Sequence, residues 1–309
     1  MTAVIPAYRV ANEIADLVAR IPVAVQHIVV VDDASPDRLR DVLAEMNDER
    51  LIVIHHEVNR GVGAAMKTGF ARALELDTEI IIKIDGDGQM DPELIPQFIE
   101  PIVAGRADFT KGNRFADLLH VNKMPLIRRL GNVALSFLAK IASGYWHLFD
   151  PCNGYLAIRS KCLRLMMVRR LANRYFFEIS MLCEAYFVRA VLEDVSMEPV
   201  YGDEKSSLNP GKMILAFAPR LASRTFYRLA MSYLLRDFNM VTVFSASGIP
   251  LFLFGVTWSI YHWILSHQEF QFASTGTVMI GVLPIILGFQ LILQAIVLDI
   301  QNEPGRTGR

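Results

Sequence analysis

One long stretch of this chain has almost no charge: from residue 238 to residue 298, sixty-one positions, the single charged side chain is Glu269. The 31 basic and 32 acidic residues otherwise crowd into the remainder at about a quarter of positions, the ordinary density of a globular protein. A uniformly soluble chain is excluded, because the uncharged stretch is long enough for membrane-length helices. There is no excess of positive charge either, and a net charge of −1 excludes a strongly basic nucleic-acid binder. Cysteine is scarce. Cys152, Cys162 and Cys183 are odd in number and not in CxxC spacing, which argues against a disulfide framework or a zinc site and for reduced structural thiols on the cytosolic side. The apolar run Thr2–Ile5 is too short for a cleavable signal peptide before Pro6, Tyr8 and Arg9, so membrane insertion is expected from the C-terminal end. The Gly-rich segment Asn59–Lys67 lacks the GK[ST] ending of a P-loop and the full GxGxxG spacing. It also follows the third expected strand, where a dinucleotide fingerprint follows the first.

What is present is an alternation of short β-branched runs with helical patterns, the signature of a parallel α/β sheet. Strands are expected at Thr2–Pro6, His27–Asp33, Leu51–His55, Glu79–Asp85 and Asp108–Lys111. Helices are expected at Ala11–Arg20, at Pro36–Asn47 with Ser35 or Asp33 as N-cap, at Gly61–Leu76, at Pro92–Ala104 capped by Asp91, and at Leu126–Ser143 and Phe176–Val188. In Gly211–Arg236, Arg220, Arg224 and Arg228 recur every four residues beside Leu215, Phe217, Leu221, Phe226 and Leu229, which reads either as an interfacial helix or as a solvated charged face. Two transmembrane helices follow, near Met240–Leu265 and Thr277–Leu298, with Gly248, Pro250, Gly255, Gly281, Pro284 and Gly288 inside them. Gln290 and Gln294 either bond another helix or sit near the interface. Basic residues before the first span, and Arg306 and Arg309 after the second, place both ends in the cytoplasm. The expected layout is a cytoplasmic catalytic domain at 1–210, juxtamembrane helices at 211–237, two transmembrane helices at 238–303 and a tail at 304–309. The spans leave room for a homo-oligomer.

Ile80-Ile-Ile-Lys-Ile-Asp85-Gly-Asp87-Gly-Gln89 is an apolar strand ending in acids. On an extended segment Asp85, Asp87 and Gln89 would project to one side, three hard oxygen donors for Mg²⁺ or Mn²⁺ bridging phosphate oxygens; a plain turn is the alternative. Gly86 and Gly88 would leave room for a bulky ligand. Val29-Val-Val-Asp32-Asp33-Ala-Ser35 ends a second strand at the same sheet edge, where one of the acids accepts hydrogen bonds from a base or ribose, or Asp33 and Ser35 simply cap a helix.

Val4-Ile-Pro-Ala-Tyr8, Val31-Asp-Asp-Ala-Ser-Pro-Asp37, Asn59-Arg-Gly-Val-Gly63, Asp85-Gly-Asp-Gly-Gln-Met-Asp-Pro92 and Gly112-Asn-Arg114 stand in the order and spacing of the family 2 glycosyltransferases, which have the GT-A fold. The chain resembles the polyprenyl-phosphate sugar synthases of that family, a group similar to dolichyl-phosphate mannose synthase and the bactoprenol glucosyltransferases. The resemblance implies an α/β, mostly parallel, Rossmann-like sheet flanked by helices. It makes Pro6, Tyr8, Asp33 and Asp85 nucleotide-sugar contacts and Asp85, Asp87 and Gln89 the metal and diphosphate groups. Arg114 and Arg128 fall where the family places cations for the lipid phosphate, and Lys205 where it places one for the donor diphosphate, so that Asp87, Arg128 and Lys205 would carry catalysis. Arg9-Val10 replaces the more usual Asn-Glu, Gly86 is often Ala, and Lys205 stands where Arg is common.

The implied reaction moves a sugar from a nucleotide-diphosphate donor to a polyprenyl phosphate on the cytoplasmic face of the cell inner membrane, among membrane lipids. A lipid phosphate is largely dianionic at neutral pH and needs no general base. A hydroxyl acceptor would need a carboxylate, for which Glu178 and Asp150 are the candidates. The competing readings are a membrane transferase acting on such a hydroxyl and a non-catalytic nucleotide-sugar-binding scaffold. A processive synthase is disfavoured by the missing QxxRW signature.

Overall fold

The computed structural model describes residues 1–114, 126–197, 210–269 and 272–305, with the side chains of 126–130, 132, 210–215 and 269 outside that description. The chain divides into two units, Met1–Thr225 and Phe226–Arg309.

In the first unit, β1 (Thr2–Ala7), β2 (His27–Asp32), β3 (Leu51–His55), β4 (Ile80–Lys83), β5 (Phe109–Asn113), β6 (Leu156–Arg159) and β7 (Leu192–Ser196) form one sheet in the order β3-β2-β1-β4-β6-β5-β7. β6 runs antiparallel to both β4 and β5, and the other pairings are parallel. Successive residues of a strand feed opposite cores. Ala3, Ile5, Ile28, Val30 and Ile82 join α1 (Ile14–Arg20), α2 (Leu39–Glu45) and α4 (Ile95–Val103) on one face. Val4, Val29, Val31 and Ile81 join α3 (Val62–Glu75), α6 (Ser160–Leu165) and α7 (Phe177–Phe187) on the other. Burial on both faces is why these strands read as near-continuous Val and Ile runs. Behind α7, a third cluster joins Leu135 and Ala139 of α5 (Leu126–Ser143) to Ile179 and Cys183 and to Phe217 and Leu221 of α8 (Pro210–Leu229). The three cysteines are free thiols, as expected.

Helix starts differ from the periodicity where loop side chains compete for the backbone. α2 begins at Leu39, not Pro36, and neither Ser35 nor Asp33 caps it. Asp37 instead accepts from the amides of Ala11 and Leu39 and from the Ser35 hydroxyl, holding the turn open. Asp91 does act as a cap, accepting from the Glu93 amide at 3.2 Å where a short 3₁₀ turn, Pro92–Leu94, leads into α4.

The arginine repeat on α8 is not one outward stripe. Arg220 is exposed, but Arg224 bonds Glu184 Oε1 at 2.7 Å and the Arg170 carbonyl at 2.5 Å. Arg228, in the second unit, is buried and forks onto Asp299 at 2.7 and 2.9 Å, where the Tyr233 hydroxyl also donates at 2.6 Å. A buried guanidinium needs a carboxylate, so internal pairing takes precedence over contact with lipid headgroups. Within 211–237, Phe217 and Leu221 pack into the third cluster of the first unit.

In the second unit a π-helical segment, Ala230–Arg236, precedes α9 (Met240–Glu269) and α10 (Thr275–Gln301). Their apolar stretches, Met240–Gln268 and Thr275–Gln301, have mean hydropathies of 1.7 and 2.3 and are candidate membrane spans, which suggests membrane association. The glycines let the two helices approach: a Cβ at Gly255 would stand 2.7 Å from the Gly281 carbonyl oxygen. Gln290 and Gln294 are exposed on α10, pointing away from this contact. Arg306 and Arg309 lie outside the described residues.

Candidate active site

After β3 the chain returns to the far side of β1 to make β4, so the winding reverses between the carboxyl ends of β1 and β4, the place where open α/β sheets bind ligands. Register sets Ala7 beside Asp32 and Val4 beside Lys83. Tyr8, Asp32, Asp33 and Asp85 thereby reach one edge. Pro6 is buried in β1 opposite Val31, and Tyr8 is exposed just beyond it. Arg9 adopts φ 59, donates its amide to Ser35 Oγ at 2.6 Å and lays its guanidinium 5.4 Å from the Tyr8 ring centre. Left-handed backbone suits Asn far better than Arg, which gives the departure from Asn at this position a structural meaning.

Two aspartates at the end of β2 organise the loops. Asp32 accepts from the Ser35 amide at 2.8 Å and meets His55 Nδ1 at 2.9 Å. Asp33 is buried, and both its oxygens are engaged: the Arg60 and Gly61 amides donate at 2.9 and 2.6 Å, and His56 Nδ1 lies at 2.7 Å. Asp33 therefore fixes the Gly-rich turn into α3. Gly61 is required there, with φ 93 and space for a Cβ only 2.5 Å from the Asn173 carbonyl.

At the end of β4 the structure departs from the extended segment expected. The strand stops at Lys83 and the chain turns through Gly86–Gly88, with Asp87 Oδ1 accepting from the Gln89 amide at 3.1 Å. Asp85, Asp87 and Gln89 are therefore not ranked along one strand face. Asp87 and Gln89 are exposed, and Asp85 is half-buried. Gly86 leaves no room for a ligand: a Cβ there would lie 3.2 Å from the Pro6 carbonyl, so the position serves tight packing against β1.

Asp85 is held by a cation the motif reading passed over. Lys83, fully buried, donates to Asp85 Oδ1 at 2.5 Å and to the Gly154 carbonyl at 3.1 Å, and its ammonium lies 3.3 Å from Glu178 Oε1. Burial alone would lower the Lys83 pKa, but the charges of Asp85 and Glu178 outweigh it and raise the value. Gly154 precedes β6, whose residue Leu156 pairs with Lys83, and a Cβ at Gly154 would sit 2.2 Å from Asp85 Oδ2. Lys111 on β5 is a second buried lysine, bonded to the Asn153 carbonyl, and burial holds its pKa down against the pull of Glu178 and Asp150. Beside it, burial pushes the Cys152 thiol up to about 12, which makes it inert.

Arg114 leaves the end of β5 and is forked onto buried Asp150 by two bonds of 2.8 and 3.1 Å. The two carboxylates offered as bases are thus both in ion pairs, Asp150 with Arg114 and Glu178 with Lys83. Arg128 lies on α5 with its side chain outside the described residues, and Lys205 lies outside them altogether.

A family model described as glycosyl transferase family 2 matches residues 2–165. The chain belongs to this family. It is 28% identical over 219 residues, 66% of this chain and 84% of the relative, to a UDP-N-acetylglucosamine–dolichyl-phosphate N-acetylglucosaminyltransferase of Methanococcus voltae. It is 29% identical over 183 residues, 58% of this chain and 74% of the relative, to an undecaprenyl-phosphate mannosyltransferase of Micrococcus luteus. Among solved structures, glucosyl-3-phosphoglycerate synthase of Mycobacterium tuberculosis, in complex with Mn²⁺, UDP and its product, superimposes with a TM-score of 0.54 at 18% identity, covering 74% of this chain and 78% of that one. At that identity the likeness establishes the GT-A-like α/β fold.

For this glycosyltransferase the missed residues share one property: Lys83 and Lys111 are charges buried within strands of the sheet. Lys83, standing within Ile80-Ile-Ile-Lys-Ile-Asp85, carried a readable signal, since a lysine in a fully buried strand needs an anionic partner.

Proposed function

We propose that this glycosyltransferase moves a sugar from a nucleotide-diphosphate sugar to a polyprenyl phosphate at the cytoplasmic face of the inner membrane. The observation that carries this reading is the pairing of both base candidates: Glu178 and Asp150 are buried in ion pairs, and a phosphate acceptor is the nucleophile that needs no base. The names of the relatives and the two apolar helices support it.

A phosphate oxygen of the acceptor forms the new bond to the anomeric carbon from the face opposite the leaving group, and the bond to the nucleoside diphosphate breaks, so the configuration inverts. Pro6 and Tyr8 wall the nucleotide, and Asp33 acts by holding the Gly61 turn. Asp85 and Asp87 would hold Mg²⁺ or Mn²⁺, with Gln89 beside them. Two hard carboxylates on an open edge fit such an ion, which ordinarily completes its shell with phosphate oxygens and water. Among the described residues no three His, Cys, Asp or Glu side chains converge to cage it. When bound, it supplies positive charge to the departing diphosphate. Lys83 orients Asp85, and Asp150 orients Arg114. Arg114 and Arg128 take the lipid phosphate, and Lys205 the donor diphosphate.

The test offers membranes containing the full-length enzyme a panel of nucleotide sugars with polyprenyl phosphate and reads lipid products by mass spectrometry. A sugar–phosphate–lipid is expected, absent with Asp87→Asn and with EDTA. Sugar found on a hydroxyl, or full turnover of Asp87→Asn in chelator, would overturn the reading.

A further inference from the structure

A second concentration of charge lies on the α3 and α8 side of the first unit. A cleft of about 910 Å³ is lined by Arg60, Lys67, Arg169, Arg174, Arg220 and Arg224, with no acidic residue among its lining residues. Asp85, Asp87, Gln89, Arg114 and Tyr8 do not line it. Two of the six cations are engaged: Lys67 donates to Asn173 Oδ1 at 2.8 Å, and Arg224 is paired with Glu184. The side chains of Arg60, Arg169, Arg174 and Arg220 make no ion pair or hydrogen bond among the described residues. Burial first, and the charge of Arg60 second, lower the Lys67 pKa.

Four guanidinium groups around one cavity form a site for phosphate oxygens, which they bind as forks. The source of the phosphate follows from α8 itself. Phe226 is 76% exposed and stands six residues beyond Arg220, about 9 Å along the same helix. A helix that carries cations at one end of a turn or two and bare aromatic surface at the other has the composition of a membrane-interface element.

We propose that this cleft binds the phosphate headgroup of an anionic membrane phospholipid, at a site separate from the reaction edge. The ligand is not a substrate. It neutralises the arginine cluster and holds the first unit at the headgroup layer.

The experiment uses the full-length protein in mixed micelles of phosphatidylglycerol or phosphatidylcholine, with lipid retention read by native mass spectrometry and no turnover required, so its outcome is independent of the donor and acceptor assignments. Phosphatidylglycerol should be retained in preference to phosphatidylcholine. Arg174→Gln with Arg220→Gln should weaken that retention at least tenfold, and inorganic pyrophosphate should not displace the lipid. Equal retention of both lipids, or of phosphatidylglycerol by wild type and variant, would overturn the proposal. Binding of pyrophosphate lost in the variant while lipid retention stays unchanged would overturn it also, by making the cleft a site for soluble phosphates. Circular dichroism checks the fold of the double variant; if that fails, Arg220→Gln alone, at an exposed position, serves the same comparison.

Discussion

Replacing Lys83 by Met removes the central cation of the reaction edge while nearly preserving side-chain volume. The ammonium lies 2.5 Å from Asp85 and 3.3 Å from Glu178, attractions of about 7 and about 5 kcal/mol at an effective dielectric of about 20. Burying the ammonium opposes them by several kcal/mol, so the net is far smaller than the sum. Breaking a buried pair by deleting one partner costs about 3–5 kcal/mol, because the other charge stays behind without compensation. Here the carboxylate left at Asp85 has a side chain 29% exposed and can recover water, whereas that at Glu178 is 11% exposed and cannot. The expected loss is therefore at the lower end, about 3 kcal/mol, carried mainly by Glu178. Thermal unfolding of the full-length protein in detergent would show a lower midpoint for the first unit. Lys83→Met combined with Glu178→Gln should recover most of it, since no unpaired buried charge remains. The double variant should stay poorly active, because Asp85 has lost its fixed orientation. A midpoint within experimental error of wild type for Lys83→Met, or a double variant as unstable as the single, would refute the reasoning.

Gly154→Ala should reduce turnover at least tenfold with a smaller effect on stability, because the new methyl meets Asp85 Oδ2 at 2.2 Å and Lys83 Nζ at 2.6 Å; unchanged kcat would show that the pair need not be held. Asp299→Ala should lower the unfolding midpoint of the second unit by the equivalent of about 3 kcal/mol, since it removes the carboxylate that holds buried Arg228 in two bonds, and Arg228→Met with Asp299→Leu should recover much of it. Lys111, with its pKa lowered by burial, binds fewer protons folded than unfolded between the lowered value and the ordinary one near about 10.4. Its unfavourable contribution is complete below that window and is relieved as pH rises through it, so the stabilisation by Lys111→Met should be largest at low pH and be lost in alkali. Lys83 has the opposite sign: its stabilisation is present below the ordinary lysine value and fades as pH rises through the raised one.

What the sequence determined by itself was whatever rests on local pattern. Val29-Val-Val-Asp32 and Ile80-Ile-Ile-Lys83 read as buried strands because burial on both faces demands β-branched runs, and Met240–Leu265 and Thr277–Leu298 read as spans because so long a run without charge has few other homes. Asp91 capped its helix as expected because a cap is a contact two residues away. Tertiary structure decided the partners. That Asp33 secures the turn at Gly61, that Lys83 reaches Glu178, that Asp150 holds Arg114 and that Arg228 forks onto Asp299 are contacts between residues far apart in the chain. The short antiparallel strand β6, only four residues long, brings Gly154 against Lys83, and no local pattern announces it. A buried charge declares in sequence that it needs a partner, but the choice of partner depends on which strands lie side by side, and that is fixed only when the whole sheet has closed around its two cores.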